Sequence, residues 1–352
     1  MYNFDTITVK YFKDPVVTLE AFKAGEFDFL PVNIAKQWAR DMEGGGFADG
    51  RLIKKMFAHH NDAGMQGFVM NTRRNIFFDR KVRQAMGLAL DFEWTNKTLY
   101  FGQYRRSESF FSHSPLAATS LPQGLELRYL EELRPLLPPE VFTTPLKAPV
   151  AGDAQALRQN LRQAKNLLAE AGWQVKDGVL KNAAGEPFQF EILLANQAFE
   201  RVMAAYVENL GKLGIKASYR TIDPAVYTER VRNFDFDMIV EVYGQSQSPG
   251  NEQRNFWSSA AAAQPGSDNY AGIHDQAIDA LIDKVIYAST REELTAACRA
   301  LDRALWYGYY LVPNWYIDNH RVSYHNIFGQ PKTLPLFYDP YQLLWTWWGA
   351  EK

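Results

Sequence analysis

The sequence holds one cysteine and six histidines in 352 residues. A single thiol, Cys298, cannot close an internal disulfide. Its place in the helix-like run 294–305 reads as a small buried apolar residue. The histidines (His59, His60, His113, His274, His320 and His325) have no cysteine beside them and form no His-Glu-x-x-His pair. Zinc sites of those spacings are therefore excluded. Also missing are a Gly-x-x-x-x-Gly-Lys-Ser/Thr phosphate loop, a Gly-x-Gly-x-x-Gly after a strand and a Gly-x-Ser-x-Gly nucleophile elbow. Charge of one sign is scarce: the net charge is −2, too little to recruit nucleic acid or an anionic membrane. No apolar run is long enough to span a bilayer. Residues 1–30 lack the basic start and apolar block of a secretory signal, so the expectation is a cytosolic chain or a mature or truncated piece of an exported one.

Aromatics, by contrast, are abundant: 9 Trp, 18 Tyr and 23 Phe. Trp and Tyr offer broad apolar faces with a polar tip, which suits ligands of variable chemistry. A large α/β core accounts for them equally well. The length suggests about two domains.

Residues 6–12 alternate and are rich in β-branched and aromatic types, which predicts a strand. Asp14-Pro15 predicts a helix start and Gly25 its end, and residues 27–30 read as a second short strand. Further strands are expected at 52–57 and 67–72. After Asp79, the spacing of Val82, Ala85, Met86, Ala89 and Leu90 is that of a buried helical face. Residues 105–150, with many Ser and Pro and little periodicity, predict a long irregular excursion of the kind that carries binding or covers a site. From Asp153 on, helices at 157–171, 199–213, 224–232, 273–288 and 291–307 alternate with strands at 188–194, 215–219, 238–243 and 311–317. That alternation predicts an α/β fold with mainly open sheets.

The loop Gly244–Arg254 follows the strand that ends at Tyr243. Open α/β sheets bind ligands outside the carboxyl ends of their strands. Amides and hydroxyls there can bond a peptide backbone, and Trp257 can supply an apolar wall. An ordinary surface loop is the alternative. Carboxylate pairs can be chosen freely among 40 acids, so none counts as a hydrolase signal by itself.

Several segments resemble the family 5 extracellular solute-binding proteins. They are Ala21-Phe22-Lys23-Ala24-Gly25-Glu26-Phe27, then Phe68-Val69-Met70-Asn71-Thr72 followed by Phe78-Asp79-Arg80-Lys81-Val82, then 164–173, and Glu208-Asn209-Leu210-Gly211-Lys212-Leu213-Gly214-Ile215. Residues 91–104 and 244–259 resemble the YejA-type branch, linked to uptake of long peptides and of the peptide antibiotic microcin C. The resemblance implies an α/β, periplasmic-binding-protein type II-like fold of two lobes joined by a hinge, with the first lobe incomplete in this chain. Residues 1–72 would form part of lobe one, 73–312 the peptide-binding lobe two, and 313–352 a return to lobe one. The signal peptide and the start of lobe one would be missing, and the missing N-terminal part of the family fold would be a possible partner.

The resemblance further implies a periplasmic binder and not an enzyme, without cofactor, metal or nucleic acid. It would deliver an oligopeptide to the inner-membrane permease of an ABC transporter. The implied ligand-binding residues are Asn71, Trp94, Tyr104, Tyr243, Gln245, Ser246, Gln247, Asn251, Glu252, Arg254 and Trp257, with hinges near 68–72 and 311–317. Many relatives hold the peptide amine with an Asp where this chain has Ser246, which leaves Glu252 as a substitute anchor. A carboxylate-dependent hydrolase and a purely structural fragment are the competing readings.

Overall fold

The computed structural model describes residues 2–350. The chain divides into two units, the smaller formed by residues up to 61, 99–103 and from 317 on, the larger by 62–98 and 104–316. This differs from the division expected at residue 72, because the strand Met65–Met70 is hydrogen-bonded into the sheet of the larger unit.

In the smaller unit, the helix Pro15–Lys23 starts as its sequence dictates. The Asp14 carboxylate accepts from the backbone N–H of Val16 and Val17, at 2.6 and 3.3 Å, and Pro15 stands at the first position. Gly25, at φ +81°, ends the turn in the left-handed region. Strands Phe29–Pro31, Asn319–His325 and Leu52–Ala58 form a three-stranded antiparallel sheet with the second in the centre. One apolar cluster gathers Phe22, Trp38 and Leu52, and another gathers Phe57, Tyr324, Leu343 and the fully buried Trp347.

Residues 6–12 form no strand. Their alternation is real, but among the described residues the segment joins no ladder. It is held by a bond from Lys10 Nζ to the Glu26 carbonyl and by Phe12 against Phe27. Ile7, Val9 and Tyr11 remain exposed. Strand propensity needs a neighbouring edge to act on.

The larger unit is built on a five-stranded mixed sheet. Its order is Leu311–Pro313, Met65–Met70, Met238–Tyr243, Gln189–Leu194 and Lys216–Thr221; the first three are antiparallel and the last three parallel. The parallel strands come from the regular β–α alternation after residue 153, where Asp153 and Asp223 cap the helices Ala154–Glu170 and Pro224–Arg232. The spine is the helix Arg291–Gly308, buried along most of its length.

That spine explains how the irregular excursion is ordered. The Asp302 carboxylate, fully buried, accepts from Ser109 Oγ (2.6 Å), Phe110 N (2.7 Å) and Ala118 N (3.0 Å). Burial pushes its pKa up to about 6, with these bonds and Arg303 pulling the other way. Arg303 pairs with Glu126 and reaches the Ser120 carbonyl, and Tyr307 Oη donates to the Thr144 carbonyl at 2.8 Å. The excursion itself folds into short helices at Gly124–Glu131 and Glu140–Thr143. Cys298 is buried in the spine, its thiol pushed up to about 12 by burial.

Two stability predictions follow from these placements. Asp302→Asn offers one acceptor oxygen where the carboxylate serves three donors, leaving a buried N–H unmet. It should destabilise the larger unit by about 1–3 kcal/mol in denaturant unfolding; an unchanged midpoint would refute the staple. In the smaller unit, His320 stacks on His59 at 4.2 Å between ring centres and bonds the Tyr338 carbonyl. Burial lowers its pKa below 6.5. A depressed histidine stabilises the fold above the unfolded pKa, and that contribution is lost as pH falls through the folded pKa. Thermal unfolding between pH ~8 and ~5 should show a fall beginning near pH ~6.5, flattened by His320→Gln; identical slopes would refute it.

Candidate functional site

The loop after the strand Met238–Tyr243 is tied down from within the larger unit. Trp257 Nε1 donates to Gln253 Oε1 at 3.0 Å, and Gln253 Nε2 donates to Gln245 Oε1 at 2.7 Å and to Glu252 Oε1 at 3.2 Å. Glu252 Oε1 also accepts from Gly250 N at 2.8 Å, and Ser246 Oγ accepts from Ser248 N. Gln247 Nε2 donates to Asp62 Oδ1 at 2.7 Å, while Arg291 bonds the Gln247 carbonyl. Arg254 pairs with Asp283 at 2.8 Å. Side-chain amides thus run as a chain from the buried core to the loop surface.

Two atoms in this chain are left over. Tyr243 Oη and Gln245 Nε2 are buried and have no hydrogen-bond partner among the described residues. Burial pushes the Tyr243 phenol far above its ordinary range, so it is a neutral donor. An unmet buried donor costs stability unless water or a ligand group meets it.

The structure brings together Tyr243, Gln245, Ser246, Gln247 and Glu252, but gives the other six expected residues different surroundings. Trp257 is not an open wall: it is 1% exposed, packed on Tyr243 at 4.2 Å and on Phe110 at 5.3 Å, and serves to hold Gln253. Asn71 is equally buried and not in this loop. Its amide donates to the carbonyls of Phe234 and Phe236, and its oxygen accepts from Arg73. It also stands at the other end of the sheet, because Met70 pairs with Met238 and Met65 with Tyr243, which puts about 20 Å of strand between them. Trp94, 44% exposed, lines a separate cavity of about 260 Å³ with Asp91, Tyr206 and Lys212. Asn251 and Arg254 face an open polar groove with Asp279 and Asp283. Tyr104 is half-buried, with its backbone N–H and carbonyl both bonded to the Asn96 side chain.

Sequence reasoning missed Asp62 and Gln253. Asp62 reaches the loop because the chain turns sharply at Gly64 (φ +62°), where an added Cβ would stand 2.2 Å from the Tyr243 carbonyl oxygen. Burial raises the Asp62 pKa, while bonds to Ser114 and Gln247 and the charges of Arg291 and His113 oppose that shift. The Gly at 64 was the one available signal.

Comparison with known proteins fits this architecture. Residues 2–265 match the middle part of the bacterial extracellular solute-binding proteins, family 5. An uncharacterized protein of Sinorhizobium fredii, y4wM, is 46% identical over 95% of this chain and 51% of its own length. A probable peptide-binding protein of Agrobacterium fabrum, YejA, is 43% identical over 95% of this chain and 55% of its own. The chain therefore spans about half the length of these relatives. The oligopeptide-binding protein AppA of Bacillus subtilis, solved with a nonapeptide, superposes with a TM-score of 0.70 at 20% identity, covering 96% of this chain and 59% of that one. That likeness is one of fold, the two-lobed α/β architecture of type II periplasmic binding proteins. On the family match and these identities together, the chain belongs to the bacterial extracellular solute-binding proteins of family 5.

Proposed function

We propose that this protein captures oligopeptides in the periplasm for an ABC importer, by closure of its two lobes, and hands them to the inner-membrane permease. The observation that carries the reading is the amide-rich loop 244–254, held rigid from below and ending in two unmet buried donors, Tyr243 Oη and Gln245 Nε2. Donors of that kind bond peptide main chain, which every peptide has, so affinity comes with little sequence preference. Peptide antibiotics of the microcin C type fall within that ligand class.

Glu252 is the better candidate for an amine anchor than Asp62. Asp62 already has Arg291 and His113 opposing its charge, whereas the cation nearest Glu252 in sequence, Arg254, is engaged by Asp283.

Calorimetry with a peptide mixture, followed by mass spectrometry of what is retained, should return intact peptides. Cleaved products would instead favour the hydrolase reading, and no retention would sink the peptide reading. Glu252→Gln should bring the affinities for free and N-acetylated peptides together, by roughly tenfold on the free form. An unchanged preference in that variant removes Glu252 as the anchor.

A further inference from the structure

The larger unit contains a buried guanidinium without a hydrogen-bonded counter-group among the described residues. Arg106 lies on the two-residue strand Arg105–Arg106, paired with Trp315–Tyr316. All three guanidinium nitrogens are closed to solvent and lack a hydrogen-bond partner among the described residues, although the residue as a whole is only half-buried. The charged end lies over the ring of Phe92, 5.3 Å away, which in turn stacks on Trp315 at 6.0 Å. Glu93 and Glu108 favour the charge without a hydrogen bond to it, and one oxygen of each is engaged elsewhere: Glu93 Oε2 accepts from Ala151 N at 2.8 Å and Glu108 Oε1 from Ala148 N at 3.3 Å. Burial lowers the pKa to about 10, so the group is still a cation at neutral pH.

The neighbouring residues Ser107 and Asn314 also have buried unmet side-chain atoms, and Ser107 N donates to the Asn314 carbonyl. Successive strand residues face opposite ways, so these two belong to the other side of the ribbon. They are neutral, and a water molecule is enough for them. A guanidinium is different. A buried cation needs an anion, and a planar fork of five donors fits a carboxylate best. The guanidinium is closed to solvent, so a carboxylate reaches it only when the ribbon that holds it, two residues long on each side, opens locally.

The geometry points to Arg106 as the receptor for a carboxylate carried by the ligand, with the stacked Phe92 and Trp315 beside it. This rests on the peptide reading above and adds to it a preference for peptides that bear an accessible anionic group, either the chain terminus or an acidic side chain.

The test uses the full chain and alanine-based hexapeptides in matched pairs: free carboxyl terminus against terminal amide, and one internal glutamate against glutamine. One pair should differ by tenfold or more in Kd, which identifies the source of the carboxylate. Arg106→Met should abolish that difference while changing the amide forms by less than about twofold. Arg106→Lys should restore part of it. The ligand-free thermal midpoint of Arg106→Met should hold or rise, because an unpaired buried charge is removed. Equal affinities within both wild-type pairs overturn the proposal, as does a variant that keeps the difference. If no hexapeptide binds, it is the peptide reading that has failed. Acetate then decides the anion site: it should raise the wild-type midpoint relative to chloride at equal ionic strength and not that of Arg106→Met. Equal responses would overturn the proposal.

Discussion

The larger unit depends on one buried carboxylate. Asp302 sits inside the spine helix and accepts three bonds from a segment that has no sheet of its own. A helix interior is a poor place for an acid unless its oxygens are met. Here the acid takes the place that a ladder would fill elsewhere, and it fixes Phe110. Phe110 packs edge-on against Trp257, Trp257 holds Gln253, and Gln253 holds Gln245. A contact made in the core therefore sets the position of an amide at the loop surface. The order of cause runs from charge to packing to the site.

This chain of contacts bears on function. A loop that must order itself on binding loses side-chain and backbone freedom at that moment, and affinity falls accordingly. Gln253 is bonded to Gln245 and Gln247 to Asp62, leaving these side chains few rotamers to lose. What stays unmet is small and specific, a phenol and one side-chain NH2 group. Preorganised donors of this kind suit recognition of a repeating backbone better than recognition of one side chain.

Legibility from sequence followed the range of the interaction. The helices were readable because their signals are local: Asp14, Asp79, Asp153 and Asp223 each cap a helix within three residues. The strand Met238–Tyr243 and the loop after it were readable for the same reason. The segment 6–12 has the pattern of a strand, but pattern cannot supply an edge. Trp257 was misjudged because Trp is large and amphipathic, equally at home in a pocket wall and in a core; what decides between them is Phe110, 147 positions away in sequence. Asn71 was misjudged because strand direction, which places it at the far end of the sheet, is a property of pairing and not of composition. Asp62 carried only the indirect signal of Gly64 and Arg106 none, since neither type nor spacing foretells a partner 185 residues off, or the lack of one.

The lack of one is informative only against the way this unit treats its other buried cations. Arg73 donates to the carbonyls of Ala262, Asn269 and Tyr270 and to Asn71. Arg83 donates to the carbonyls of Gly308, Phe77 and Phe78. Arg303 has Glu126 and the Ser120 carbonyl. Each was taken from water and given oxygen in exchange, which is what burial of charge demands. Arg106 was taken from water and given an aromatic face and the charges of Glu93 and Glu108, without a hydrogen bond among the described residues. A core built for stability alone would replace it with an apolar side chain of similar volume. An anion that comes and goes would supply the hydrogen bonds that this fold gives its other buried cations and withholds from Arg106.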